Sequence, residues 1–290
     1  MIQFSNAPLQ RVALDGFVFY LKRDDLLHSE LNGNKARKLA YFVDFEEDFE
    51  RYICYGGAQS NMLQSLSYLS HTQKRELVYY TKQVPKHIKE NPTGNYEYAL
   101  KHNAKIVELG DKYDSFIFTI EPCENERLIL QGGLQASSEY GLKKLADEIL
   151  QNVHENSIQS PKLFLPSGTG TTALYLQKHL PFKVYTLPTV GDADYLREQI
   201  STLEEDSSLH PTILTPPKKY HFANLYQEFF SIYNQALKEC GVEFDLLYDS
   251  VGLITMLANK EELGSDVIYL HQGGLLGNLS MIARYLRREF

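Results

Sequence analysis

Four short segments of the 290-residue chain set glycine beside hydroxyl, amide or amine side chains. In Leu163-Phe-Leu-Pro-Ser-Gly-Thr-Gly-Thr-Thr-Ala173 an apolar run breaks into small residues and then enters a helical pattern. Gly168 and Gly170 permit unusual backbone angles and close approach. The hydroxyls of Ser167, Thr169 and Thr171 join the unpaired amides of a helix start, so donors converge on one place. Such a place holds a phosphate. No Gly-Lys-Ser/Thr follows and GxGxxG is not matched, which disfavours a nucleotide triphosphate or a dinucleotide. Taken alone, the segment is equally well read as a plain Gly-rich turn with a Ser or Thr cap.

The second segment, Tyr55-Gly-Gly-Ala-Gln-Ser-Asn-Met62, sets Ser60 and Asn61 at a helix start, where capping is the simplest role for both. The third, Leu270-His-Gln-Gly-Gly-Leu-Leu-Gly277, puts Gln272 just past an apolar strand. The fourth runs from Leu21-Lys-Arg-Asp-Asp-Leu26 to a helix opening with Lys35, Arg37 and Lys38. Cations at a helix N-terminus oppose the macrodipole, so Lys35 has a reduced incentive to stay protonated. A surface charge cluster is the competing explanation.

These segments need strands that end where helices begin. Apolar runs at 17–21, 52–55, 77–81, 105–109, 128–130, 163–165, 184–187, 213–215, 244–248 and 267–270 predict strands. Three- and four-residue apolar spacing predicts helices over 35–49, 61–71, 96–103, 140–153, 171–179, 194–203, 223–240 and 276–288. The alternation is that of an α/β protein with mostly parallel sheets. In such sheets ligands gather beyond the carboxyl ends of strands, where the four segments fall.

Lys plus Arg number 29 and Asp plus Glu 37, a net charge of -8, which removes the general attraction to nucleic acid. Neither a basic, apolar leader nor a run approaching 18 apolar residues is present, so a cytoplasmic protein without a membrane partner is expected. Cys54, Cys123 and Cys240 form no CxxC pattern. HExxH, GxSxG and paired histidines at metal-ligand spacing are absent, so no metal is expected.

In order along the chain, Lys22-Arg-Asp-Asp-Leu26 with Gly33-Asn-Lys-Ala-Arg-Lys-Leu39, Gly56-Gly-Ala-Gln-Ser-Asn61, Gly94-Asn95, Gln131-Gly-Gly133 with Glu139-Tyr-Gly141, and the 167–171 loop resemble motifs of one family. It is the 1-aminocyclopropane-1-carboxylate deaminase and D-cysteine desulfhydrase family of pyridoxal-phosphate (PLP) enzymes. The resemblance implies a tryptophan-synthase-β-like fold (PLP fold type II), with two open twisted sheets flanked by helices. It also implies a large domain from 1–39 and 138–290, a smaller α/β domain at 40–137, and a homodimer. Lys35 takes the position of the lysine that carries PLP, Ser60 that of a serine on the substrate's reacting face, and Asn61 that of the partner of the ring hydroxyl. Ser167, Gly168, Thr169, Gly170 and Thr171 take the phosphate cradle.

The family's DPVYxGK segment is matched to Asp249–Thr255, so Gly252 stands for a tyrosine over the substrate and Leu253 for the next residue, a glutamate in cyclopropane-opening enzymes. Tyr220 is then the surviving tyrosine, and the neutral Gln272 becomes the neighbour of the ring nitrogen. A neutral partner stabilises a protonated pyridinium less than a carboxylate does, which favours a good leaving group. On this basis the expected activity is β-elimination from a small amino acid, D-cysteine or a β-substituted alanine, giving pyruvate and ammonia. A PLP-binding regulatory protein without turnover and an amino-acid racemase are the alternatives.

Overall fold

The computed structural model describes every residue except Met1, Gln3, Ser5, Asn32, Glu289 and Phe290. Among the described residues, ten strands form two sheets. The six-stranded sheet has the order β1-β2-β10-β7-β8-β9, with β1 Leu9–Leu14, β2 Phe17–Arg23, β7 Lys162–Ser167, β8 Val184–Pro188, β9 Thr212–Ile213 and β10 Val267–His271. The four-stranded sheet has the order β5-β4-β3-β6, with β3 Arg51–Tyr55, β4 Glu76–Thr81, β5 Lys105–Glu108 and β6 Glu126–Ile129. All pairings are parallel except β1 with β2.

Twelve α-helices, again among the described residues, connect the strands. The first six are α1 Gly33–Asp44, α2 Asn61–Thr72, α3 Lys86–Glu90, α4 Gly94–Lys101, α5 Tyr113–Thr119 and α6 Ser138–Glu155. The rest are α7 Thr171–His179, α8 Ala193–Ser201, α9 Gln227–Cys240, α10 Asp249–Ala258, α11 Lys260–Leu263 and α12 Asn278–Leu286. None of them is long and apolar enough to cross a membrane.

Strands β7 and β10 read as unbroken apolar runs because helices cover both faces. Phe164, Val267 and Tyr269 join a core with Phe229, Val251 and Met256, from α9 and α10. Their neighbours Leu163, Leu165, Ile268 and Leu270 turn to the opposite side and pack on Leu142, Leu145, Ala173 and Leu176, from α6 and α7. This two-residue alternation is the strand period.

Two expectations fail. Phe244–Tyr248 is not a strand: Asp245 Oδ1 accepts the backbone N–H groups of Leu247 (2.8 Å) and Tyr248 (2.6 Å), a turn that leads into α10. Strand β1 is absent from the apolar-run expectation. It is half exposed on a sheet edge, and the Asp15-Gly16 turn, with φ of 51° and 70°, returns it antiparallel to β2.

Nor do the cations that open α1 form a surface cluster. Arg37 and Lys38 are both buried. Arg37 forks onto Asp24 through Nε and Nη2 (2.9 Å each) and onto Glu148 through Nη1 (2.6 Å) and Nη2 (2.7 Å). Lys22, also buried, donates to the Ala7 carbonyl (2.6 Å), Asn152 (3.1 Å) and Glu148 (3.2 Å). The network ties α1 to β2 on one side and to α6 on the other. At its N-terminus α1 abuts the turn after β10 so closely that a Cβ on Gly33, whose φ is +62°, would lie 1.8 Å from the Gln272 carbonyl oxygen.

Arg37→Ala leaves the buried Asp24 carboxylate without its cation, and a loss of ~3–5 kcal/mol in urea-unfolding free energy is expected. A loss below ~1 kcal/mol would mean that the network does not hold α1 in place.

Candidate functional site

Strands β2, β10 and β7 lie side by side, and their carboxyl ends lead to α1, to the 272–274 turn and to the 167–170 loop. In the other sheet, β3 and β6 end at the start of α2 and at the Gln131–Gly133 turn. These ends enclose a cleft of about 490 Å³, within the usual size of small-molecule sites. Its walls carry Lys35, Ser60, Asn61, Ser167, Gly168, Thr169, Gly170 and Gln272. Residues far apart in the chain thus share one cavity.

The Lys35 amine is buried, and desolvation lowers its pKa to about 8 although Asp245 pulls it upward. Nζ donates to Asn34 Oδ1 at 2.9 Å. One helical turn on, Lys38 faces the same cleft and its Nζ donates to the Gly132 carbonyl at 2.8 Å. Burial, and then the Lys35 charge, hold its pKa well below the lysine range. Gly132 also touches the opposite wall, since a Cβ placed on it would meet the Thr169 methyl at 2.9 Å. The Lys38 amine is therefore bound to the turn that packs on Thr169.

That loop has the form of an anion site. Gly170 has φ +75° and lies against Ile200 and Leu196 so tightly that a side chain would strike Ile200 at 2.5 Å. The chain then enters α7 with its first-turn amides free of capping side chains. Thr171 is turned aside, its hydroxyl 3.0 Å from that of Thr169. The next residue, Thr172, lies on the cleft wall with a buried hydroxyl that has no protein partner. Ser167 Oγ lies 2.7 Å from Thr186 Oγ1, which also bonds the Leu165 carbonyl (2.9 Å).

Ser60 caps α2 through the Met62 amide (3.1 Å) and still borders the cleft. Asn61 Oδ1 accepts from Asn95 Nδ2 at 2.8 Å, which leaves its NH2 group as the uncommitted end. Gln272 has both ends engaged: Oε1 accepts from Asn34 (2.9 Å) and Nε2 donates to the Pro166 carbonyl (2.7 Å). As a partner for a ring nitrogen it has little left to offer.

Two sequence assignments need correction. Gly252 lies inside α10, away from the cleft, where a Cβ would meet the Tyr269 hydroxyl at 2.5 Å and Pro166 at 3.3 Å. Leu253 is core. Tyr248 lies on the cleft wall, as do Tyr55 and Tyr195, and Asp249 follows it there. Four residues earlier, Asp245-Leu-Leu-Tyr248-Asp249 has the same aspartate-to-tyrosine spacing as DPVY, and its Asp245, Tyr248 and Asp249 line the cleft. Tyr220 is outside this cleft. It lines a small separate cavity with Thr189, His221 and Leu247, and its ring packs on Tyr226 (5.0 Å) and Phe229 (4.7 Å).

The sequence reading missed Lys38, Thr172, Asp245, Tyr248 and Asp249. All five are buried or line the cleft. Burial, then Asp249, pushes the Asp245 carboxyl up to about 8. Burial also raises Asp249, which accepts from the Tyr269 hydroxyl (2.8 Å) and from the Asp245 amide (3.1 Å). Tyr248 is raised by burial and then by Asp245, so it keeps its proton at neutral pH.

No family model matches the chain. A putative 1-aminocyclopropane-1-carboxylate deaminase of Thermotoga maritima is 25% identical over 290 residues, covering 90% of each chain. Among solved structures, an ACC deaminase homologue superposes with a TM-score of 0.81 at 18% identity, covering 98% of this chain and 94% of its own. A fungal L-serine ammonia-lyase from Rhizomucor miehei superposes with a TM-score of 0.66 at 14% identity, covering 99% of this chain and 98% of its own. The fold is therefore that of the PLP fold type II enzymes.

If the wall made by Thr172, Lys38 and the 167–170 loop holds an anion, Lys38→Met should weaken binding of inorganic phosphate roughly tenfold or more, the loss of a charged hydrogen bond worth ~1.5–3 kcal/mol. Calorimetric titration measures it, and an unchanged affinity would remove Lys38 from the anion site.

Proposed function

We propose that this chain, a member of the 1-aminocyclopropane-1-carboxylate deaminase family, is a PLP-dependent lyase that releases ammonia from a small amino acid. The observation that carries this reading is the buried Lys35 amine opening on the same cleft as the Gly168-Thr-Gly170 loop and the start of α7. PLP bound there supplies an aldehyde that takes up amines and a ring that withdraws electrons from the substrate Cα.

Each requirement of that group has a residue of suitable chemistry. Gly168, Thr169, Gly170, the α7 amides, Thr172 and Lys38 hold the phosphate. The Asn61 amide donates to the ring hydroxyl, and Asp249 replaces Gln272 as partner of the ring nitrogen. Lys35 Nζ, with its pKa lowered to about 8, is unprotonated in a useful fraction near neutrality and so takes up a proton at Cα. Ser60 Oγ and the Tyr248 hydroxyl border the substrate's space, where each orients the amino acid and hands on a proton. The buried floor keeps water away from these groups.

The preference for D-cysteine rests on a missing tyrosine and a neutral ring-nitrogen partner. With Tyr248 and Asp249 on the cleft wall neither ground remains, and opening of the cyclopropane amino acid becomes the first substrate to try. Thiol elimination from D-cysteine belongs to the same panel. Homodimerisation, implied by the resemblance, is part of the proposal and is read by light scattering.

Purified protein given PLP should show visible absorption from the lysine-bound cofactor, and Lys35→Ala should lose it. Ammonia, 2-oxo acid and sulfide are then assayed with 1-aminocyclopropane-1-carboxylate, D-cysteine, L-serine and L-threonine, with chiral analysis of the residual substrate. Tyr248→Phe should lower turnover about 10²–10⁴-fold while leaving the absorption intact. An unaltered spectrum in Lys35→Ala overturns the lysine assignment, and a full spectrum with no product from any substrate would point to a binding protein.

A further inference from the structure

Asp245 has a role that neither capping nor cofactor binding explains. Its Oδ1 accepts two backbone amides and so shapes the turn that presents Tyr248 and Asp249. Its Oδ2 is buried on the cleft wall with no protein partner. Among the described residues, Thr172 Oγ1 is the other cleft-wall atom in that condition, and it belongs to the anion loop. Across the cleft, the Lys35 ammonium carries three donors and uses one, on Asn34 Oδ1. One uncommitted acceptor and a cation with spare donors thus share a single low-dielectric space.

We infer that Asp245, once ionised, is the counter-ion across the cleft for the Lys35 ε-ammonium when that amine is free and protonated, before the cofactor is captured and again after Lys35 has taken a proton from the substrate. The inference rests on Lys35 being the cofactor lysine. Asp245 is a positioning residue in this scheme, acting on Lys35 and not on the substrate.

Other charged groups around the pair set the balance. On α1, the Lys38 amine opposes a charge on Lys35. From α10, Asp249 disfavours ionisation of Asp245 and Lys35 favours it. Behind Asp249 stand His271, which favours its ionisation, and Asp25, which opposes it. The neighbouring Tyr248 phenol is neutral. For Lys35 itself, Asp245 is the group that raises the pKa against burial.

The sign of the effect follows. Capture of the PLP aldehyde needs the unprotonated amine, which forms the C–N bond as water leaves. By stabilising the ammonium once it is itself ionised, Asp245 delays the free amine to higher pH, so removing its charge should bring capture to lower pH. In the full chain freed of cofactor, the rate of visible-band growth after adding PLP is followed from pH 6 to 10. Asp245→Asn keeps an oxygen for the Leu247 and Tyr248 amides, and its midpoint should fall by about one unit or more.

Should Asp245→Asn fold poorly by circular dichroism, Asp245→Ser caps the same amides without charge and repeats the test. An unmoved midpoint with Lys35-dependent capture in both proteins would show Asp245 to be a neutral cap and overturn this inference alone. Absence of Lys35-dependent capture in the unaltered chain would overturn the cofactor reading itself.

Discussion

The position of α1 depends on a buried guanidinium. Arg37 cannot be withdrawn from Asp24 and Glu148 without leaving charge in the core, so α1 has one allowed position between β2 and α6. Two residues earlier on the same helix, Lys35 inherits that position. The amine is thereby held in a desolvated cleft where an unanchored helix would let it turn toward water. The Gly33 approach to the Gln272 carbonyl fixes the helix lengthwise, because any Cβ there would push α1 away from the turn after β10.

The second constraint is topological. Parallel strands send all their carboxyl ends to one edge, and β2, β10 and β7 are neighbours at the middle of their sheet. Amine, amide turn and Gly-rich loop arrive together for that reason, without contact between them in sequence. The four-stranded sheet brings Ser60 and Asn61 from the far side, and Asn95 fixes which end of the Asn61 amide is committed. A carbonyl acceptor used inside the wall leaves a donor toward the ligand.

What the sequence revealed, and what it hid, divides along these lines. Turns that combine glycine with small polar residues are written locally, so Lys35, Ser60, Asn61 and the 167–170 loop could be read from the chain. The β1–β2 hairpin had a legible signal in Asp15-Gly16 that the apolar-run criterion passed over, because an edge strand such as Leu9-Gln-Arg-Val-Ala-Leu14 has few core residues. The 244–255 stretch misled for a different reason. Phe244-Asp-Leu-Leu-Tyr248 has strand-like composition, and only the Asp245 side chain bonding to the amides of Leu247 and Tyr248 makes it a turn. Reading it as a strand left Tyr248 out of the site and gave Asp249 no contact with a ligand. Lys38 and Thr172 were missed because each follows a more conspicuous residue of similar type, and only the helical rotation decides which of them faces inward.

Two lysines and two aspartates of the cleft, set apart from the exposed Glu198, also explain its direction. Lys38 is tied to the Gly132 turn that packs on Thr169, while Asp245 and Asp249 lie together at the start of α10. Lys35 lies within the influence of both Lys38 and Asp245. Were all four ionised, their charges would sum to zero, yet burial pushes every one of them toward neutrality. An unfilled cleft therefore holds less charge than its composition indicates. A ligand with a doubly negative group at one end and a protonated ring nitrogen at the other would reverse this, drawing Lys38 and Asp249 back to their charged forms. The strongest field then forms around a ligand that supplies the opposite charge at each end, which favours it over small molecules lacking one end or the other.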